Sequence, residues 1–144
     1  MLFRSHEPDD VFSQTTEYAL RAFIHVAREA PRSIRLREIA AAVDAPSRYL
    51  AKILGELTRA GYLVSTRGPA GGYALAPEQS PVTLATIATV FEESTHHRCL
   101  LGSGVCGSNP DCPVHQRWAP IASAMSSFLA RTTVAELVTT RPST

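Results

Sequence analysis

The chain has 144 residues, yet no cysteine occurs in the first 98 and none follows residue 112. An odd number of thiols, three in all, argues against a disulfide framework and points to a reducing cytoplasm. The opening, Met1-Leu-Phe-Arg-Ser-His-Glu-Pro-Asp-Asp10, has no apolar run behind its charge and does not read as a secretory leader. No apolar stretch reaches eighteen residues, so no segment reads as a membrane span. The net charge is only +1, which by itself names no partner, and no internal repeat is apparent. The 44% hydrophobic content is ordinary for a protein with a packed core.

What is present is unevenly placed. Cys99, Cys106 and Cys112 fall within fourteen residues of a Gly-, Ser- and Pro-bearing stretch, and His115 follows three positions after the last. Three soft thiolates and an imidazole are a ligand set for iron–sulfur or zinc. Zinc sites usually show C-x2-C knuckles, which are absent, so zinc is the alternative and an iron–sulfur cluster the leading reading. Inert buried thiols would sit on a helix face, not in such a loop. Nothing beside the loop resembles an oxyanion hole or substrate pocket, so a cysteine–histidine enzyme is not expected.

Charge is uneven too. Residues 32–67 hold seven basic side chains against three acidic ones, a local balance of +4, while the remainder of the chain is −3. A basic third on a near-neutral chain fits polyanion binding, although a solvated face would show the same composition.

Periodicity orders the elements. Residues 1–11 read as a flexible extension. From Ser13 a helix begins with Leu20, Phe23, Ile24 and Ala27 on its inner face, and Pro31 ends it. A short helix, Leu36–Val43, is broken by Asp44-Ala-Pro-Ser47, with Ser47 as N-cap of a third helix, Arg48 to Ala60. That helix has Leu50, Ile53, Leu54 and Leu57 on one side, Arg48, Lys52 and Arg59 on the other, and Gly61 as its terminating glycine. Strands at Tyr62–Ser65 and Tyr73–Ala76 flank a turn-rich tip, Arg67-Gly-Pro-Ala-Gly-Gly72. Beyond Pro77, Thr83 caps a helix with Leu84, Ile87, Ala88 and Phe91 on one face. A long helix follows from about Val114 to Arg131, with Pro120 expected to kink it or mark a later start, and Thr133–Val138 closes the chain as a short helix. His25 reads as a packed or surface residue, and His96 and His97 as solvated.

Helix, tight turn, helix and basic-tipped hairpin is the order of a winged helix-turn-helix, a mainly α fold with a small β-hairpin wing. In it, Arg35, Arg37, Ser47, Arg48, Tyr49, Lys52 and Arg67 are candidate DNA contacts, and Gly68, Gly71 and Gly72 would let the wing backbone approach a phosphate. The expected organisation is an extension (1–11), a winged-helix domain (12–80), a connecting helix (81–94), a cysteine loop (95–113) and a dimerisation helix with tail (114–144). Trp118, Ile121, Met125, Phe128 and Leu129, at helical spacing, are the expected dimer seam.

Three segments carry a family likeness: Thr16-Glu-Tyr-Ala-Leu-Arg21, Tyr49-Leu-x-Lys-Ile-Leu54, and Ala60-Gly-Tyr-Leu-Val-Ser65-x-Arg67-Gly-Pro-x-Gly-Gly-Tyr73. With the three cysteines, they make residues 12–140 resemble the BadM/IscR/NsrR family of bacterial winged-helix regulators. The resemblance implies a homodimer, built through the long C-terminal helix, that binds an imperfect palindrome in double-stranded DNA. It also implies a cluster on Cys99, Cys106 and Cys112 whose state sets DNA affinity. The fourth ligand is either His115, as in IscR-like proteins, or Glu17 from the partner subunit, as in NsrR-like ones. A local histidine favours 2Fe–2S over 4Fe–4S, although the first cysteine gap, six residues, exceeds the five common in IscR. The expected function is a cytoplasmic, non-enzymatic repressor sensing nitric oxide, redox state or iron–sulfur supply. Two alternatives are a cluster-free or zinc-bound repressor answering a small molecule or partner protein, and an iron–sulfur electron-transfer or carrier protein.

Overall fold

A computed structural model describes residues 12–77, 81–92, 100–101 and 110–139. The N-terminal extension, Cys99, Cys106, His96, His97 and the tail from 140 lie outside these residues. The elements run α1 (Gln14–Arg28), α2 (Leu36–Val43), α3 (Ser47–Arg59), β1 (Leu63–Thr66), β2 (Gly72–Leu75), α4 (Leu84–Phe91), α5 (His115–Arg131) and α6 (Val134–Thr139). This is the expected mainly α fold with one antiparallel hairpin. Among the described residues no helix is long and apolar enough to cross a membrane.

α1 is the central post. The Ser13 side chain accepts from the Thr16 amide and caps it, and α2, α3, α4, α6 and β2 all pack against it. That crowding explains a correction. The fully buried set is Thr16, Ala19, Ala22, Phe23 and Val26, whereas Leu20, Ile24 and Ala27 are only half-buried. A helix covered from several sides buries a wide arc, and its alanines allow close approach, so a single apolar stripe misplaces the centre of the face.

α3 ends as its sequence foretells. Gly61 has φ +90°, the Tyr62 amide donates to the Leu57 carbonyl at 3.0 Å and the Gly61 amide donates to the Thr58 carbonyl at 3.1 Å. This is a Schellman closure, which satisfies the last carbonyls of the helix. Its start differs from expectation. Pro46, at φ −61° and ψ 130°, is the capping residue, and Ser47 is the first helical residue without a capping bond. Proline's fixed φ already suits the extended capping position.

β1 and β2 pair with Leu63 opposite Leu75 and Thr66 opposite Gly72. Ile34, between α1 and α2, adds a third rung. It donates to the Tyr73 carbonyl at 2.8 Å and accepts from the Tyr73 amide at 2.7 Å.

The expected connecting helix is part of the core. α4 opens with a Thr83–Thr86 capping box, and Ile87 joins Val82 and Val134 in the same buried cluster as α1 to α3. α5 runs unbroken through Pro120. Proline removes one donor there, to the carbonyl of Gln116 on the helix's exposed flank, so the helix need not start later.

Candidate nucleic-acid interface and metal centre

The apolar stripe of α3 decides which of its sides faces out. Leu50, Ile53, Leu54 and Leu57 are all buried, each contributing about 1.5–3 kcal/mol. Their burial leaves Ser47, Arg48, Lys52 and Arg59 exposed. Two acidic residues of the basic third are neutralised locally. Glu38 pairs with Arg32 at 3.3 Å, and Glu56 pairs with Arg59. The hydrogen bond from Arg32 to Glu29, at 3.1 Å, leads the causes that raise the guanidinium's pKa above its ordinary value. Among the described residues, Arg37, Arg48, Lys52 and Arg67 are exposed and make no ion pair within the chain. They are exposed cations of the basic third that suit a polyanion.

Three expected contacts turn inward. Tyr49 is half-buried, its hydroxyl hydrogen-bonds Thr15, and its ring meets Tyr18 edge-on with centroids 5.8 Å apart. It anchors α3 to α1. A Cβ on Gly71 would collide with the Thr66 carbonyl oxygen. A Cβ on Gly72, whose φ is +150°, would lie 2.5 Å from the Ile34 carbonyl oxygen. At these two glycines the space a side chain would need is taken by the chain's own backbone. Gly68, at φ +101° with nothing within 4 Å, is the open one at the tip. Arg35 is exposed, but its guanidinium donates to the Pro69 carbonyl.

The first helix motif is likewise a set of struts. Arg21 donates to the Val43 carbonyl at 3.3 Å and sits over the Tyr18 ring at 5.6 Å. Thr16, fully buried, donates its hydroxyl hydrogen to Glu92 Oε1 at 2.6 Å; that oxygen also accepts from the Ser13 amide at 3.0 Å and the Ser13 hydroxyl at 2.9 Å. A carboxylate at the start of α1 also suits the helix dipole. Sequence reasoning did not single out Glu92, because its partners lie 76 and 79 residues away.

Of the expected metal ligands, Cys112 and His115 are described. Both are half-buried, and the His115 amide donates to the Cys112 carbonyl at 3.3 Å as α5 begins. One turn therefore holds a thiol, a soft donor, and an imidazole, and both fit a cluster or zinc. Glu17 lies half-buried in the first turn of α1. Among the described residues no three His, Cys, Asp or Glu side chains gather as a metal site.

On α5, Ala122 and Leu129 face inward while Ile121 is 56% and Phe128 57% exposed. Leu129, at 6% exposure, belongs to the subunit's own packing, a correction to the expected seam. Trp118 and Met125 are half-buried at the edge of the exposed stripe.

Comparison with known proteins agrees with this arrangement. Residues 12–140 match the Rrf2 family, described as an iron-dependent transcriptional regulator. An HTH-type transcriptional regulator of Aquifex aeolicus is 34% identical over 131 residues, covering 89% of this chain and 91% of that protein. The HTH-type transcriptional regulator IscR of Vibrio atlanticus is 32% identical over 122 residues, covering 84% and 70%. The solved structure of CymR, the global cysteine regulator of B. subtilis, superposes with a TM-score of 0.73 at 26% identity, covering 89% of this chain and 95% of that one. Taken with the helix-turn-helix of α2 and α3, the hairpin wing and the exposed cations that both carry, the match establishes that the chain belongs to the Rrf2 family of transcriptional regulators.

Proposed function

We propose that this DNA-binding regulator works as a homodimeric repressor whose DNA affinity is set by an iron–sulfur cluster on Cys99, Cys106 and Cys112. His115 would be the fourth ligand, with Glu17 of the partner subunit as the alternative, and the local imidazole favours 2Fe–2S. The observation that carries the reading is the turn joining Cys112 to His115 at the first residue of α5. It places a thiol and an imidazole where the helix with the exposed Ile121 and Phe128 begins. Similarity to IscR supports the same reading.

When bound, the cluster supplies a centre that reacts with nitric oxide or oxidants, or that is lost when its supply fails. The chain's own residues do the rest. Ile121, Met125 and Phe128 would pack against a second copy, and Arg48 and Lys52 of each α3 would enter successive major grooves. The operator is then an imperfect palindrome with half-sites about 34 Å apart. A change at Cys112 or His115 would shift the spacing of the two α3 helices, which needs only a few kcal/mol of differential stability.

Anaerobic purification tests this. A coloured protein with acid-labile sulfide is expected, and Cys112→Ser should abolish its visible absorbance. A changed spectrum in His115→Ala, with Glu17→Ala unchanged, would identify the local ligand. Colourless protein holding stoichiometric zinc would overturn the cluster. A cluster-free regulator answering a small molecule remains the second reading, supported by the likeness to CymR, which is described as a cysteine regulator.

A further inference from the structure

The wing is a two-stranded hairpin, an element that is marginal alone in water. Past the Thr66–Gly72 pair, its described backbone bonding is reduced to the Gly71 amide donating to the Gly68 carbonyl at 2.9 Å. Residues 64–70 are exposed throughout. Support comes from outside the hairpin. Ile34 is fully buried and shares both backbone hydrogen bonds with Tyr73, and its carbonyl fills the space that a side chain at 72 would need. The next residue, Arg35, continues extended at φ −73° and ψ 148° and donates its guanidinium to the Pro69 carbonyl. Two consecutive residues thus hold the start of β2 and the tip of the same hairpin.

We propose that Arg35 is a positioning residue for the wing and not a phosphate contact. Its planar fork can fix a carbonyl in a way a lysine point charge cannot. Held from α2, the tip would meet DNA already ordered, so the entropy of ordering residues 67–70 is lost on folding and not on binding.

Arg35→Gln separates the two roles. In the free protein, amide exchange at Gly71, whose N–H donates to the Gly68 carbonyl, should rise at least about threefold, read by NMR. Binding to a fluorescent mixed-sequence duplex should weaken about three- to tenfold at every salt concentration, with the slope of log K against log salt unchanged within about 0.5. A released wing still makes its contacts once bound, so the lines stay parallel. Unchanged exchange overturns the proposal, and so does a slope smaller by about 0.9, the mark of one lost phosphate contact. The inference uses the wing's role at DNA only in the binding arm. The exchange arm needs no DNA, so failure of the tether is distinguishable from failure of the functional reading.

Discussion

α3 and α5 are both amphipathic helices, and they differ in what their apolar faces meet. α3 buries Leu50, Ile53, Leu54 and Leu57 within its own subunit. α5 buries Ala122 and Leu129 and leaves Ile121 and Phe128, about 100° around the helix, more than half exposed. The first face is completed by the fold, and its polar back is free for another molecule. The second leaves Phe128, beside Ile121 and Met125, exposed in the single chain, the kind of apolar surface that a second copy would cover in the proposed dimer. One helix thus offers charge outward and the other apolar area.

The contrast can be broken at each helix. Leu54→Ala should cost about 2–5 kcal/mol, because it opens a cavity that a well-packed core fills only partly; urea denaturation reads the loss. Phe128→Asp should leave the subunit's own packing almost untouched and raise the dimer dissociation constant about a hundredfold, read by sedimentation over a concentration series. Equal loss of monomer stability in both variants would remove the distinction between the faces. Arg48→Ala, on the back of α3, should change stability by no more than about 0.5 kcal/mol while lowering the salt slope of duplex binding by about one unit. A melting temperature shifted as far as that of Leu54→Ala would place Arg48 in the fold and not at the interface.

What was legible in the sequence was local. The Leu50-to-Leu57 stripe, the Thr83 cap and the terminating Gly61 each depend on residues within a turn or two of one another, and each stands where its pattern puts it. The element order followed, and with it the family. What was not legible was long-range. No local pattern says that Ile34 bonds Tyr73, that Glu92 bonds Ser13 and Thr16, or that Tyr49 turns toward Thr15. Gly71 and Gly72 show the same limit, since turn chemistry detects that a side chain is excluded but not what excludes it. On the candidate site, the exposed cations emerged from composition and period together. Arg35 shows why charge alone cannot tell a ligand contact from a tether, since its guanidinium donates to the Pro69 carbonyl 34 residues away.

The Schellman closure at Gly61 has a consequence for how this protein can change. Between the last residue of α3 and the first of β1 stand only Ala60, Gly61 and Tyr62, and Tyr62 is bonded on both sides, to the Leu57 carbonyl and from the Ala76 amide. Adding or deleting one residue there would rotate the strand by half a period and turn Leu63 from core to solvent. α3 and the wing therefore share a single register in space. Substitutions can retune either one, whereas a one-residue length change between them would undo the packing of Leu63.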